Sequence, residues 1–424
     1  MTIGFVVSFF DFRNDVRRVI AEVAKQHKVV ILGQAQNRDQ ILRHLPQGVE
    51  FRLINEKKIT FWNSLWTKLY LLLKKIPKSE NNFYLMELYK ASLVADPTAR
   101  RRSYALLKWI HRLPKIISYD FYLNRLTFQK ETNLGGIDQF VCFTAIADDF
   151  LMARLLRENQ PVKVYVYSWD HACKHTCFSK KVKYIAWNEA IKEDIAELQH
   201  IEPSQIKVIG ASQFGYIEEY RKKAALLEPT YSFEYIYFGC AIGATDLVPD
   251  EVEVVKTLAG ILAQTRPDLR LVVRPYPVQG NWQLYDSLRE IPNIVMDDGF
   301  RTLDLSVKDD HILEKLEKIT HAKAFFHLGT TMGLEACFTD TPSFIVDFGY
   351  QTTEGLSLYN FIHQYQNDRH LIALAPQNAV RSPEHLKEIL HDLENVQYLH
   401  LNEKVRNQYT MLSFGEFAQL LTEI

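Results

Sequence analysis

Residues 323–349 constrain this chain more than any other stretch. The run Ala324-Phe-Phe-His-Leu328 is short, apolar and closed by Gly329, which suits a strand buried in a parallel sheet, while residues 332–338 suit a helix. A strand therefore passes into a helix through Gly329-Thr330-Thr331. At such a turn the first backbone N–H groups have no intrahelical partner and the helix dipole is positive, so the place favours a phosphate or another anion. Thr330 and Thr331 add hydroxyl donors. Glu335 lies four residues after Thr331, on the same helix face one turn deeper, where a carboxylate can accept hydrogen bonds from a ribose diol. Phosphate first and sugar next is the order of a nucleotide. A capping box uses similar residues, but it spaces its glutamate three residues from the cap, not four.

A chain of 424 residues exceeds what one hydrophobic core organises, and 47% apolar content supplies side chains for two. We expect domains at 1–215 and 216–424, with the final helix packing back. A net charge of -1 argues against bulk nucleic-acid binding, and five cysteines without disulfide-like spacing point to a reducing compartment. The N-terminus has no basic segment or small-residue cleavage site, and no run reaches membrane-spanning length. The cytoplasm is the expected location.

The chain opens as βαβ, with a strand at 3–9, a helix at 15–26 and a strand at 29–32. The turn between the first two, Phe10-Asp11-Phe12-Arg13-Asn14, lacks the glycines that let a backbone wrap a pyrophosphate, so the first half is not expected to hold a nucleotide. Asp11 and Arg13 stand at a strand's carboxyl end, where open α/β sheets bind ligands, or are simply solvated turn charges. From 57 to 130 the character changes: fifteen basic residues face four acidic ones, Glu80, Glu87, Asp96 and Asp120. Tryptophan and leucine are interleaved with them, as in Phe61-Trp62-Asn-Ser-Leu65-Trp66. This basic helical insertion suits an anionic membrane surface, or equally helices packed on a sheet with solvated lysines. No nucleic-acid motif accompanies the charge.

Further strands are expected at 140–143 and 162–167 around a helix at 148–158. The second runs into Tyr167-Ser-Trp-Asp170-His171-Ala-Cys173-Lys-His175-Thr-Cys177. In an extended chain the two histidines and two cysteines would share one face, yet they would crowd along one strand with no turn to wrap a tetrahedral ion, so no metal is assigned. Asp170 and His171 suit a general base or acceptor-sugar ligands; a polar loop with a buried tryptophan accounts for them as well. After a strand at 183–187, a helix at 189–198, a strand at 206–210 and a helix at 216–227, a second α/β pattern starts at 235–239. Its loop, Gly239-Cys-Ala-Ile-Gly243-Ala-Thr-Asp246, leads into a helix from Pro249, and its amides are candidates to face the same ligand. A strand at 269–273 ends in Arg274-Pro-Tyr276-Pro. Arginine there can clamp a diphosphate, a charged hydrogen bond of about 1.5 to 3 kcal/mol.

Together, Tyr-Ser-Trp-Asp-His at 167–171, Ile-Gly-Ala-Ser-Gln-Phe at 209–214, Val-Arg-Pro-Tyr-Pro at 273–277 and Gly-Thr-Thr-Met-Gly-Leu-Glu-Ala at 329–336 resemble GT-B glycosyltransferases of bacterial surface-polysaccharide synthesis. The resemblance covers roughly residues 160–350. It implies an α/β fold of two Rossmann-like domains facing each other across a cleft, a nucleotide sugar held by the second domain, and a glycan or lipid-linked acceptor on the first. It implies phosphate contacts from Arg274, Thr330 and Thr331, a ribose contact from Glu335, and Asp170 near the reacting sugar, with Gly239, Gly243, Tyr276, Gly329 and Gly333 completing the donor site. His171 stands where the pattern has asparagine, and Tyr276 where it has histidine, so no cation is available at 276 at neutral pH. No obligatory metal cofactor is expected, because cations and helix N-termini can offset the charge on a departing phosphate. Polyol-phosphate transferases and non-hydrolysing nucleotide-sugar epimerases share the scaffold, as would a catalytically silent carbohydrate-binding relative. With the basic insertion, the expectation is a cytoplasmic enzyme, peripheral on the inner face of the membrane.

Overall fold

The computed structural model describes residues 1–8, 12, 14–56, 60–76, 80–94, 96–144, 146–174, 178–224, 227–302, 308–351, 356–365 and 368–423. The chain divides into two compact units. Unit 1 is Met1–Phe83, Trp109–Gly215 and Tyr409–Ile424, and unit 2 is Tyr84–Lys108 and Tyr216–Gln408.

Unit 1 holds strands β1 (Thr2–Val6), β2 (Lys28–Gly33), β3 (Glu50–Leu53), β4 (Gln139–Phe143), β5 (Val162–Tyr165), β6 (Lys183–Ala186) and β7 (Ile206–Val208). They pair in the order β3-β2-β1-β4-β5-β6-β7, and every pairing is parallel. The central strands β4 and β5 are buried along their whole length, which is why, Gln139 and Lys163 apart, they read as apolar runs in the sequence. Unit 2 holds β8 (Tyr235–Gly239), β9 (Arg270–Arg274), β10 (Ile294–Met296), β11 (Phe325–His327), β12 (Ser343–Val346) and β13 (Ala379–Val380), in the parallel order β10-β9-β8-β11-β12-β13. Both are doubly wound α/β sheets.

The last helix, Phe414–Glu423, packs on the first, Asp15–Ala24, with the Arg18 guanidinium over the Phe414 ring at 4.8 Å. Gly215 admits that ring, since a Cβ there would lie 2.8 Å from it. Under this contact Asp15 is buried and receives the Tyr167 hydroxyl at 2.8 Å and the Ser212 hydroxyl, while Ser212 also takes part with Tyr165 at 3.1 Å. The Ile-Gly-Ala-Ser-Gln-Phe segment thus ties the end of β7 to the first helix. A buried carboxylate that loses a donor costs about 1 to 3 kcal/mol. Ser212→Ala is therefore expected to lower unfolding free energy by about that amount in urea titration, and a change within about 0.5 kcal/mol, the range of neutral surface substitutions, would contradict the buried network.

Candidate functional site

From β8 the chain turns to β9 and β10 on one side and only then to β11 on the other, so β8 and β11 flank the point where the strand order reverses. Connections leave such a point in opposite directions and open a crevice at the strands' carboxyl ends. In register, Gly239 pairs with Arg274 across one edge and with His327 across the other. Three of the stretches singled out from sequence therefore end side by side: the loop after Gly239, Arg274, and the turn Gly329-Thr330-Thr331.

The helix after the turn runs Thr331–Phe338, with Thr330 as its N-cap. The Thr330 hydroxyl accepts from the Met332 amide at 3.4 Å, a long bond, so the cap is weak and no capping box is formed. What fixes the turn is His327, which carried no expected role beyond its place in the strand. It is fully buried, and its Nδ1 accepts the Gly329 amide at 2.9 Å and the Thr330 amide at 3.4 Å. Burial pushes its pKa down to about 3, so the ring is neutral and keeps the acceptor that an imidazolium lacks. Nε2 then carries the proton and faces the helix at Gly333, where a Cβ would lie 2.3 Å from it. Gly329 has φ 119, open only to glycine at low cost. The Thr331 amide, at the first helical position, has no acceptor within the helix, and together with two half-buried threonine hydroxyls it is what the turn presents to a ligand.

Glu335 is buried and forms an ion pair with Lys315, whose Nζ stands 2.7 Å from one carboxylate oxygen and 2.6 Å from the other. The Glu335 carboxylate, expected from sequence to face a ribose, is shared with a cation on the helix Asp309–Thr320. Lys315 is a functional candidate missed from sequence, because nothing local links it to a glutamate twenty residues on.

Arg274 donates to Asp297 at 2.7 Å and lies over the Phe300 ring at 4.5 Å. Asp297 also receives Lys318 at 2.7 Å and the Tyr237 hydroxyl. Burial opposes the Asp297 charge, but Arg274 and Lys318 outweigh it and hold its pKa below the ordinary carboxylate value. One edge of the guanidinium is thus committed to a buried network.

The glycine-bearing loop departs from expectation. The Ala241 amide donates to Glu251 at 2.7 Å, and the Tyr285 hydroxyl donates to the other oxygen of that carboxylate at 2.8 Å. An internal carboxyl group, sited in the first turn of the helix Val248–Thr265, occupies the place expected for a ligand. The glycines serve close packing: a Cβ at 239 would lie 2.5 Å from the Phe325 ring and 3.4 Å from Thr330, and one at 243 would lie 2.2 Å from the Tyr89 hydroxyl and 3.0 Å from the Tyr276 ring. Tyr104 and Arg100 also reach this loop, at Asp246, over 2.5 and 3.1 Å.

In unit 1, Asp170 is buried beside the buried Trp169 and accepts the Ser168 hydroxyl at 2.8 Å, while His171 is partly exposed. His171–Lys174 is a single helical turn, so His171 and Cys173 are not placed on one face of an extended chain. His175, Cys177, Asp11 and Arg13 lie outside the described residues. Among the described residues, no group of three or more His, Cys, Asp or Glu is arranged to hold a metal ion.

The chain aligns over 100% of its length with 99% of a UDP-GlcNAc 2-epimerase from Neisseria meningitidis bound to UDP-GlcNAc, at 12% identity and a TM-score of 0.51. It aligns with the Methanocaldococcus jannaschii UDP-GlcNAc 2-epimerase, in complex with UDP-GlcNAc and UDP, over 100% of both chains at 13% identity and 0.51. The fold is GT-B. A glycotransferase of kitacinnamycin aligns over 100% of this chain and 98% of its own at 11% identity, with a TM-score of 0.47. No protein-family model and no curated protein matches.

Glu251 supplies a pH test of the loop. Burial raises its pKa from 4.5 to about 7 against the lowering effect of its hydrogen bonds. The folded chain therefore resists an ionisation that the unfolded chain undergoes freely. The contribution of Glu251 to stability is full below pH 4.5 and declines as pH rises to about 7, by roughly 3 kcal/mol. Glu251→Gln should lack that decline in urea unfolding measured across the window, and a variant profile parallel to the parent's would contradict the assignment.

Proposed function

We propose that this chain is a nucleotide-sugar enzyme that seats the donor's phosphates at the Gly329-Thr330-Thr331 turn of unit 2. The observation that carries this reading is the anion-ready helix start, held by a neutral buried histidine at the point of strand-order reversal. Two proteins of the same fold were solved with UDP-GlcNAc. The Thr331 amide, the threonine hydroxyls and the helix dipole meet the phosphate charge, Arg274 flanks them, and the ion pair with Lys315 positions the Glu335 carboxylate for the ribose hydroxyls. Gly239, Gly243, Gly333 and Tyr276 shape the crevice by packing.

The favoured reaction is glycosyl transfer to a glycan or lipid-linked acceptor in bacterial surface-polysaccharide synthesis. An acceptor hydroxyl oxygen bonds to the anomeric carbon, the bond from that carbon to the nucleotide phosphate breaks, and the hydroxyl proton passes to the Asp170–His171 pair. Ser168 orients the Asp170 carboxylate for this task. A second reading, epimerisation of the nucleotide sugar, is favoured by the whole-length alignments with UDP-GlcNAc 2-epimerases.

Incubation with UDP-GlcNAc, followed by NMR and mass spectrometry, separates the readings. Release of UDP that requires an added acceptor supports transfer, an isomer of unchanged mass supports epimerisation, and an intact donor on a chain that still binds UDP marks a silent relative. Asp170→Asn should lower turnover by roughly 10²- to 10⁴-fold with UDP affinity unchanged by calorimetry; near-normal turnover would contradict its role. Glu335→Gln, which keeps the side chain's shape beside Lys315, should weaken UDP binding. Unchanged affinity would confine Glu335 to its ion pair.

A further inference from the structure

The helix Phe61–Leu73 of unit 1 is mounted with its apolar side outward. At 100° per residue, Phe61, Trp62, Leu65 and Leu69 fall on one side and Asn63, Thr67 and Tyr70 on the other. The second, more polar side is the one that docks. The Thr127 amide donates to the Asn63 side chain at 2.9 Å, Trp66 Nε1 donates to the Tyr122 carbonyl at 3.0 Å, Thr67 meets the Tyr122 hydroxyl at 3.2 Å, and the Tyr70 ring stacks on Tyr122 at 4.1 Å. The outward side leaves Phe61 75% and Trp62 71% exposed, with Leu65 at 48% and Leu69 at 39%. Ile116, whose amide bonds to the Leu73 carbonyl at the helix end, adds a further side chain at 69%. Exposed apolar side chains in such a row are unusual on a protein that water alone surrounds.

Charge decides what covers them. No acidic residue stands between Glu56 and Glu80, while Lys68 is exposed on the side of the apolar row and Lys75 is exposed just past the helix end. A protein groove would have to desolvate those ammonium groups. A bilayer interface takes the rings and leucines into its acyl boundary and lets the lysine stems carry their charges up to anionic headgroups. Among the described residues no helix is long and apolar enough to cross a membrane. We propose that Phe61, Trp62, Leu65 and Leu69 insert into one leaflet of an anionic membrane, with Lys68 and Lys75 on the headgroups, so that unit 1 works at a lipid surface. This stands independently of the nucleotide reading.

The full chain, mixed with vesicles of phosphatidylcholine alone or with phosphatidylglycerol added, should sediment with the second set and lose that binding as salt is raised. The exposed positions permit substitution without loss of fold, checked by circular dichroism. Phe61→Ser with Trp62→Ser should weaken vesicle binding by about tenfold or more, as should Lys68→Glu with Lys75→Glu, while UDP affinity is unchanged. Lipids brominated on their acyl chains should quench the parent's tryptophan fluorescence more than that of Trp62→Phe. Equal sedimentation with neutral and anionic vesicles, or full binding by the Phe61/Trp62 variant, would overturn the proposal. So would a concentration-dependent dimer that the same variant converts to monomer, since a second copy would then be the cover.

Discussion

The arrangement of unit 2 depends on one neutral imidazole. His327 ends β11 and accepts amides from the turn that follows, so the chain leaves the sheet at a fixed angle and the next helix starts with its first donors pointing away from the core. The ring can do this only while uncharged, and burial ensures it. Gly333 completes the device by letting the ring lie against the helix backbone. Two hydrogen-bond donors that would compete for an anion are thereby satisfied internally, leaving Thr331 and the hydroxyls as the presented set.

A second buried charge system lies on the other side of β8. Asp297 gathers Arg274, Lys318 and Tyr237, and removal of its carboxylate would leave the Arg274 guanidinium without its buried counter-charge, which is far more costly than the pair is stabilising. Glu251 plays the corresponding part under the β8 loop, where it consumes an amide that could have served a ligand. Unit 2 thus satisfies these polar groups from within, and the phosphate seat proposed above falls at the Thr331 helix start.

The doubly wound pattern was legible because the central strands are buried on both faces and appear as apolar runs; β8 at Tyr235–Gly239 matches its expected bounds. Strands β3, β10, β12 and β13 were missed. They are four, three, four and two residues long, too short for periodicity, and β3 carries Glu50 and Arg52. The Gly-Thr-Thr turn and its helix were legible from composition and spacing. The roles of His327, Lys315 and Glu251 were not, since each is defined by a partner that only the packed chain brings near. The basic stretch announced amphipathic helices, but which side of Phe61–Leu73 faces outward was decided by Tyr122 and Thr127, far along the chain.

A crystal structure of the chain with UDP decides whether the Thr331 helix start is the phosphate seat. Diphosphate density is expected within hydrogen-bond distance of the Thr331 amide and the Thr330 or Thr331 hydroxyl, with the ribose toward Glu335. Density for UDP against unit 1, or at the Ala241 amide in place of Glu251, would contradict it.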